Sequence, residues 1–335
     1  MDIFANGQWL PLVFMALMGI SMLAYVVLDG YDLGVGILMS RATYDEKDQM
    51  IASIGPFWDA NETWLVLGVG ILLVAFPEAH GVILTALYIP VAVMLAGIIL
   101  RGVSFDFRAK AKDHHKHLWD KAFIGGSLVA TLAQGFMLGL YIVGFEYTPK
   151  NIIFGLLAGI GLVAGYCLVG AAWLIMKTEG ELQKKAVHWA RIALWGAAFG
   201  MALVSIATPL LSPRIFDKWF SLPNFILLMP IPLVTGVLII ALEVILRKLP
   251  HSNDSYCWLP FTGSVGLFLL GFYGLAYSFY PYIVPDKLTV WQAASAPESL
   301  MFILVGVAIV LPCIIGYTIF AYKVFWGKVK ELRYY

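Results

Sequence analysis

The sequence predicts an all-α integral membrane protein of nine transmembrane helices, N-terminus outside and C-terminus inside. Three observations carry this prediction. The 335 residues are 61% hydrophobic and only 13% charged, about half the charged fraction of a soluble domain. The apolar residues fall into runs long enough to cross a bilayer of ~30 Å as helices of ~20 residues. These runs are continuous rather than alternating, which selects helices over a closed barrel, the other structure whose backbone is satisfied in lipid. The third observation is where the basic residues fall.

Nine spans are read at 9–39, 51–77, 81–103, 119–145, 152–176, 189–209, 223–247, 257–279 and 298–326. Polar connectors such as RATYDEKDQM (41–50) and FRAKAKDHHKHLWD (107–120) separate them, and the longest connectors on the opposite face are 210–222 and 280–297. With the N-terminus outside, eighteen of the 22 lysines and arginines fall on the inner face, including Lys330 and Arg333. Only Lys150, Arg214, Lys218 and Lys287 fall outside. This asymmetry follows the positive-inside rule. No soluble domain fits between the spans, so residues 1–335 read as one polytopic membrane domain, with the helices grouped as two bundles plus one extra.

Other readings close quickly. A net charge of +1 gives no argument for nucleic acid. Cys167, Cys257 and Cys313 lie far apart, so neither a disulfide framework nor a CxxC site is implied. The segment MDIFANGQW lacks a basic region before the first apolar run, which reads as a retained span. Trp9, Trp64, Trp119, Trp219, Trp291 and Trp326 lie near predicted span ends, as interfacial belts require.

The chemistry lies in the acids. VVLDGYDLGVGI (26–37) places Asp29 and Asp32 one turn apart in span one, where a central carboxylate costs about 2.5–3.5 kcal/mol on insertion scales. Asp29 is roughly 15 Å above the inner end at 1.5 Å per residue. IGPFWDANETWL (54–65) brings Asp59 to nearly the same depth, with Glu62 one turn further along. LRGVSFDFRAK (100–110) sets Arg101 and Asp106 at the inner mouth of span three. Intramembrane acids face a bundle interior or a wet cavity and mark proton routes; burial moves their pKa toward the working pH. The blander role is to tie helices together. Gly30, Gly34 and Gly36, and Gly68 and Gly70 in span two, read as packing residues that let helices approach.

The six histidines, His80, His114, His115, His117, His188 and His251, all fall at span ends or in loops. No pair crosses the membrane centre to hold a haem, for which histidine is the usual ligand. HHKH (114–117) reads as a basic, solvated face.

VVLDGYDLGVGIL, IGPFWDANETWLVLGVGILLVAFP, LRGVSFDFRAK, HLWDKAFIGGS, TEGEL (178–182) and LTVWQAASAPESL, in this order over nearly the whole chain, resemble subunit II of the cytochrome bd ubiquinol oxidases. The short connectors resemble the compact, cyanide-insensitive branch. The resemblance implies a bacterial cytoplasmic-membrane enzyme that oxidises quinol and reduces oxygen to water. It implies haems b and d and the quinol site in a partner, subunit I, with a small one-helix subunit also able to bind. Subunit II then supports subunit I and contributes to a cytoplasm-side proton pathway. Asp29, Asp59, Arg101 and Asp106 match the pathway motifs, with Asp32 and Glu62 second; position 62 departs from a family pattern with glutamine. Two alternatives compete: a proton-coupled secondary transporter, against which no inverted repeat is visible, and a purely structural assembly subunit.

The charge asymmetry yields a direct test of topology. Cysteines introduced at position 3 and near position 113 should label from opposite sides of the membrane, the latter from the cytoplasm. Periplasmic labelling near 113 would overturn the depths given above.

Overall fold

The computed structural model describes residues 7–250 and 254–329; His251, Lys330 and Arg333 lie outside the described residues. Helix α1 (Leu10–Leu38) is followed by a short 3-10 turn at Met39–Arg41 and by α2 (Tyr44–Ile54). A capping box starts α2: the Thr43 side chain accepts from the backbone of Glu46, and Thr43 N–H donates to Glu46 Oε2 at 2.8 Å. Then come α3 (Trp58–Ala75), α4 (Pro77–Ala86) and α5 (Tyr88–Lys110). Next are α6 (Asp113–Ile142), α7 (Pro149–Lys177) and α8 (Gly180–Leu211). After them stand two short helices, α9 (Pro213–Phe220) and α10 (Asn224–Leu228), and then α11 (Pro230–Lys248) and α12 (Leu259–Phe279). A small antiparallel hairpin, β1 (Tyr282–Val284) and β2 (Leu288–Thr289), precedes α13 (Pro297–Val324).

Among the described residues, nine helical segments are long and apolar enough to cross a membrane, and each overlaps one predicted span. Prolines move the boundaries. The span expected at 81–103 is two helices that meet at Leu87. Pro90 lacks the N–H that would bond to the Ala86 carbonyl, so the ladder breaks there, and α5 runs on to Lys110. Pro56 and Pro77 likewise bracket α3, which starts at Trp58 rather than near 51. Two features arise in connectors read as loops, α9 and the hairpin. In α9, Arg214 Nη1 donates to Ser278 O at 3.1 Å and Lys218 Nζ to Tyr277 O at 2.7 Å, capping the end of α12.

The expected pair of bundles with one extra helix takes the form of two unequal compact units. The smaller comprises residues up to Asp29, Pro56–Ala86 and Phe279–Trp326; the larger comprises Gly30–Gly55, Leu87–Ser278 and the residues from Gly327 onward. In the smaller unit, Asn61 Nδ2 donates to Leu28 O at 3.3 Å, and Tyr322 OH donates to Asn61 Oδ1 at 3.3 Å. Phe57 packs on the Tyr322 ring at 4.6 Å, and Ser295 N and Oγ donate to Ala75 O and Val74 O. Gly68 abuts Met22, whereas Gly70 faces open space, so only the first of these two glycines is a packing position.

In the larger unit α5, α6, α7 and α8 form a series of antiparallel neighbours. A Cβ on Gly97 of α5 would come within 2.8 Å of Ala130 N and 2.9 Å of Gly126 O, so the two backbones touch. The end of α1 is packed as tightly. A Cβ on Gly34 would overlap the Tyr166 carbonyl of α7, and Gly170 returns the contact. The connector helix α2 is tied to α8 by Glu46, whose Oε1 lies 2.8 Å from Lys185 Nζ. Burial alone would raise the Glu46 carboxyl; the hydrogen bonds from Lys185 and Thr43 hold it below its ordinary range.

These contacts separate two glycines of similar sequence context. Gly34→Ala should cost about 1–3 kcal/mol through overpacking, read as a lower thermal midpoint and less subunit in the membrane. Gly70→Ala should be neutral or stabilising by up to about 1 kcal/mol.

Candidate proton-conducting site

Helix α1 carries both of its aspartates inside the protein: Asp29 and Asp32 are each 0% exposed. Nine residues, roughly 13 Å at the helical rise, separate Asp29 from the end of α1 at Leu38. The same stretch supplies Gly30, Gly34 and Gly36, the close-packing positions.

In the smaller unit the buried stripe of α3 is Phe57, Asn61, Trp64, Gly68, Ile71 and Ala75, at helical spacing. Asp59, in the first turn of α3, is off this stripe and exposed, and Glu62 is half-buried. The equal depth expected for Asp29 and Asp59 therefore does not follow from the helix bounds, because α3 starts only one residue before Asp59. Asn61, which the acid-based reading passed over, is the polar residue of this motif that faces inward. Trp64 is buried six residues into α3 and is not an interfacial residue.

The larger unit holds Asp32, Arg101 and Asp106. Arg101 is not at the mouth of its helix. It is 1% exposed and nine residues before the end of α5, since the Leu87 break moves the whole helix along the sequence. The buried face of α5 reads Arg101, Ser104, Phe105 and Arg108. Asp106 is on the opposite, exposed side. The acid that faces inward is Asp120 of α6, with a side chain 2% exposed. Arg108 Nε donates to Asp120 Oδ1 at 2.6 Å, and Lys47 Nζ is 3.2 Å from Asp120 Oδ2. Arg108 Nη1 also reaches Asp48 Oδ1 at 2.7 Å. Asp120 stands in HLWDKAF, a motif that carries the resemblance without drawing attention to its acid. The signal was its helical phase: it precedes the buried Phe123 and Ser127 at spacings of three and seven.

A second ion cluster, also unforeseen, joins α8 to α11. Glu243 Oε1 accepts from Arg191 Nη2 at 2.9 Å and Arg247 Nε at 2.8 Å. It explains how α11 tolerates a carboxylate that is 6% exposed.

The described histidines are poorly placed for a haem. His80 is half-buried in α4, His114, His115 and His117 are exposed at the start of α6, and His188 is exposed on α8. Among the described residues no group of three His, Cys, Asp or Glu side chains is disposed to hold a metal ion.

The sequence profile described as "Cytochrome bd terminal oxidase subunit II" matches residues 10–325. The chain belongs to this family. Among similar proteins, the cytochrome bd ubiquinol oxidase subunit 2 of Bacillus subtilis is 27% identical over 94% of this chain and 95% of its own. The cytochrome bd-I ubiquinol oxidase subunit 2 of Escherichia coli is 25% identical over 96% of each. The solved bd oxidase from Geobacillus thermodenitrificans contains a chain with the same fold, at TM-score 0.77 and 14% identity, matched over 94% of this chain and 98% of that one. Membership makes this subunit II part of a bd-type quinol oxidase, a complex with subunit I that uses haem, and removes the support for a transporter.

The ion cluster at Asp120 has a measurable consequence. Asp120→Ala leaves Arg108 buried without its main partner and should destabilise the subunit by about 3–5 kcal/mol. Glu181→Ala, at an exposed position of α8 paired only with Lys184, should stay within about 0.5 kcal/mol. Thermal unfolding of the purified complex distinguishes the two.

Proposed function

We propose that this subunit II delivers protons from the cytoplasm to oxygen reduction in a haem-bearing subunit I, within a bacterial cytoplasmic membrane. The observation that carries the reading is the complete burial of Asp29 and Asp32 on one apolar helix. The complex takes electrons from a quinol, ubiquinol in the named relatives, and passes them to oxygen. Haems b and d are assigned to subunit I, in keeping with the unsuitable histidines here. A small one-helix subunit and lipid complete the assembly.

Reduction of oxygen to water consumes one proton per electron. Protons drawn from the cytoplasm while quinol releases its own on the other side charge the membrane. A carboxylate suits the inner path because it takes up and releases a proton within a hydrogen-bonded chain. Asp29 and Asp32 are both fully buried on the helix that packs against α6 and α7. Arg101, in the same half of the membrane by sequence depth, offsets a carboxylate's charge. Asp59 and Asp106 lie on faces that the single chain leaves open, and we assign them to the boundary with subunit I. Glu62 stays in a supporting role.

Asp29→Asn tests this reading in the intact oxidase, because asparagine keeps the size and removes the titratable proton. Oxygen consumption should fall by about tenfold, equivalent to about 1.4 kcal/mol on the barrier, with quinol binding and the haem spectrum retained. A native rate with native proton uptake would leave Asp29 as a helix-tying group and the proton reading unsupported.

A further inference from the structure

The larger unit contains a file of buried polar side chains that the acid motifs do not include. On α6, Asp120, Ser127, Thr131 and Gln134 follow one another at spacings of seven, four and three residues, so they share one face. Asp120, Ser127 and Thr131 are each at most 1% exposed. At the far end, Gln134 Oε1 accepts a hydrogen bond of 2.7 Å from the Tyr166 hydroxyl of α7, and Tyr166 is itself 0% exposed. Ser127 and Thr131 donate to the Phe123 and Ser127 carbonyls one turn back, each at 2.8 Å. Such local bonds satisfy a hydroxyl wherever it sits on a helix. They do not account for the alignment of the file, which continues from the ion cluster at Asp120.

Helix α1 runs beside this file, and its glycines fix the register. A Cβ on Gly36 would meet Ser127 Oγ and Phe123, and one on Gly30 would meet the Tyr166 ring at 2.8 Å. Antiparallel helices keep step turn for turn. One turn from Gly36 on the same face of α1 is Asp32, and one turn from Ser127 on α6 is Thr131. Asp32 therefore stands level with Thr131 and Tyr166, in the middle of the file. Arg101 stands level with Ser127, since a Cβ on Gly126 would come within 2.8 Å of Arg101 N.

The geometry points to this file, Ser127, Thr131, Gln134 and Tyr166 with Asp32 at its midpoint, as the inner segment of the proton route, entered at the Asp120 end. The inference rests on the proton-supply reading above. A serine, threonine or tyrosine hydroxyl both accepts and donates, whereas the Gln134 amide passes no proton and orients the Tyr166 hydroxyl through its Oε1. The file spans fourteen residues of α6, roughly 21 Å at 1.5 Å per residue, and the proposed route includes water molecules between its polar groups. At each hydroxyl or water one O–H bond forms as another breaks, so the group ends unchanged. Asp32 alone alternates between neutral and charged, accepting a proton from the Ser127 side and releasing it toward Tyr166. The electrons and the final acceptor are those of quinol oxidation and oxygen reduction in the complex.

Thr131→Val and Tyr166→Phe each delete one hydroxyl at nearly constant volume, and both are measured in the intact oxidase. Each should lower oxygen consumption by at least about tenfold and raise its solvent deuterium isotope effect, with the haem spectrum retained. Thr131→Ser should recover what Thr131→Val loses. If Thr131→Ser is as slow as Thr131→Val, packing rather than the hydroxyl matters, and the inference falls. If Thr131→Val does not assemble, Tyr166→Phe decides. If Thr131→Val and Tyr166→Phe turn over at the native rate while Asp29→Asn is slow, the file is structural and the wider proton reading stands. If Asp29→Asn is native as well, both fall.

Discussion

A charged group on a membrane helix must be covered by protein, and the covering must approach closely enough to exclude lipid. In this chain both demands fall on the same few residues. DGYDLGVG alternates the carboxylates of Asp29 and Asp32 with Gly30, Gly34 and Gly36. The glycines let α7 and α6 reach the α1 backbone, at Tyr166 and Gly170 on one side and at Ser127 on the other. Small residues supply van der Waals contact where the hydrophobic effect offers nothing between helices in lipid. The burial of Asp32 and the tight α1–α7 crossing are therefore one feature seen from two sides. The stacking of Tyr31 on Trp173 at 4.2 Å between the same two helices belongs to it as well.

The C-terminal end of α5 and the N-terminal end of α6 follow a different logic. There Arg108, Asp120, Lys47 and Asp48 bring two positive and two negative charges together. A buried pair gains less from Coulomb attraction than it loses by desolvation unless its geometry is good, and its main effect is to penalise any arrangement that parts it. The cluster therefore fixes how α2, α5 and α6 meet more than it adds to stability.

Much of this was legible in the sequence. The nine spans were, because twenty apolar residues in a row have few other uses, and so was the crowding of acids in the first three. Detail was lost wherever helical phase or a proline decided. Asp59 and Asp106 attracted attention as charges, yet Asn61 and Arg108, two residues further on in each case, occupy the buried stripe. Pro90 split one expected span and drew Arg101 deep into α5. Asp120 was in plain view within HLWD, but an acid beside a basic loop reads as surface until its spacing to Phe123 and Ser127 is followed. The helix α9 and the β hairpin escaped because connectors were read by length and polarity alone.

The last described residues have a role in the order of assembly. Gly327 O accepts from Lys177 Nζ at 3.1 Å, Val329 N donates to Lys177 O at 2.8 Å, and Lys328 Nζ reaches Thr178 O at 2.9 Å and pairs with Asp254. These bonds satisfy carbonyls at the end of α7, which a helix cannot satisfy by itself. Helix α7 is thus capped by residues about 150 positions further along the chain, after α13. During synthesis α7 has to wait with its end open until every later span has been made. A chain that stopped short of Gly327 would contain all nine spans and still lack the cap on the helix that packs against α1.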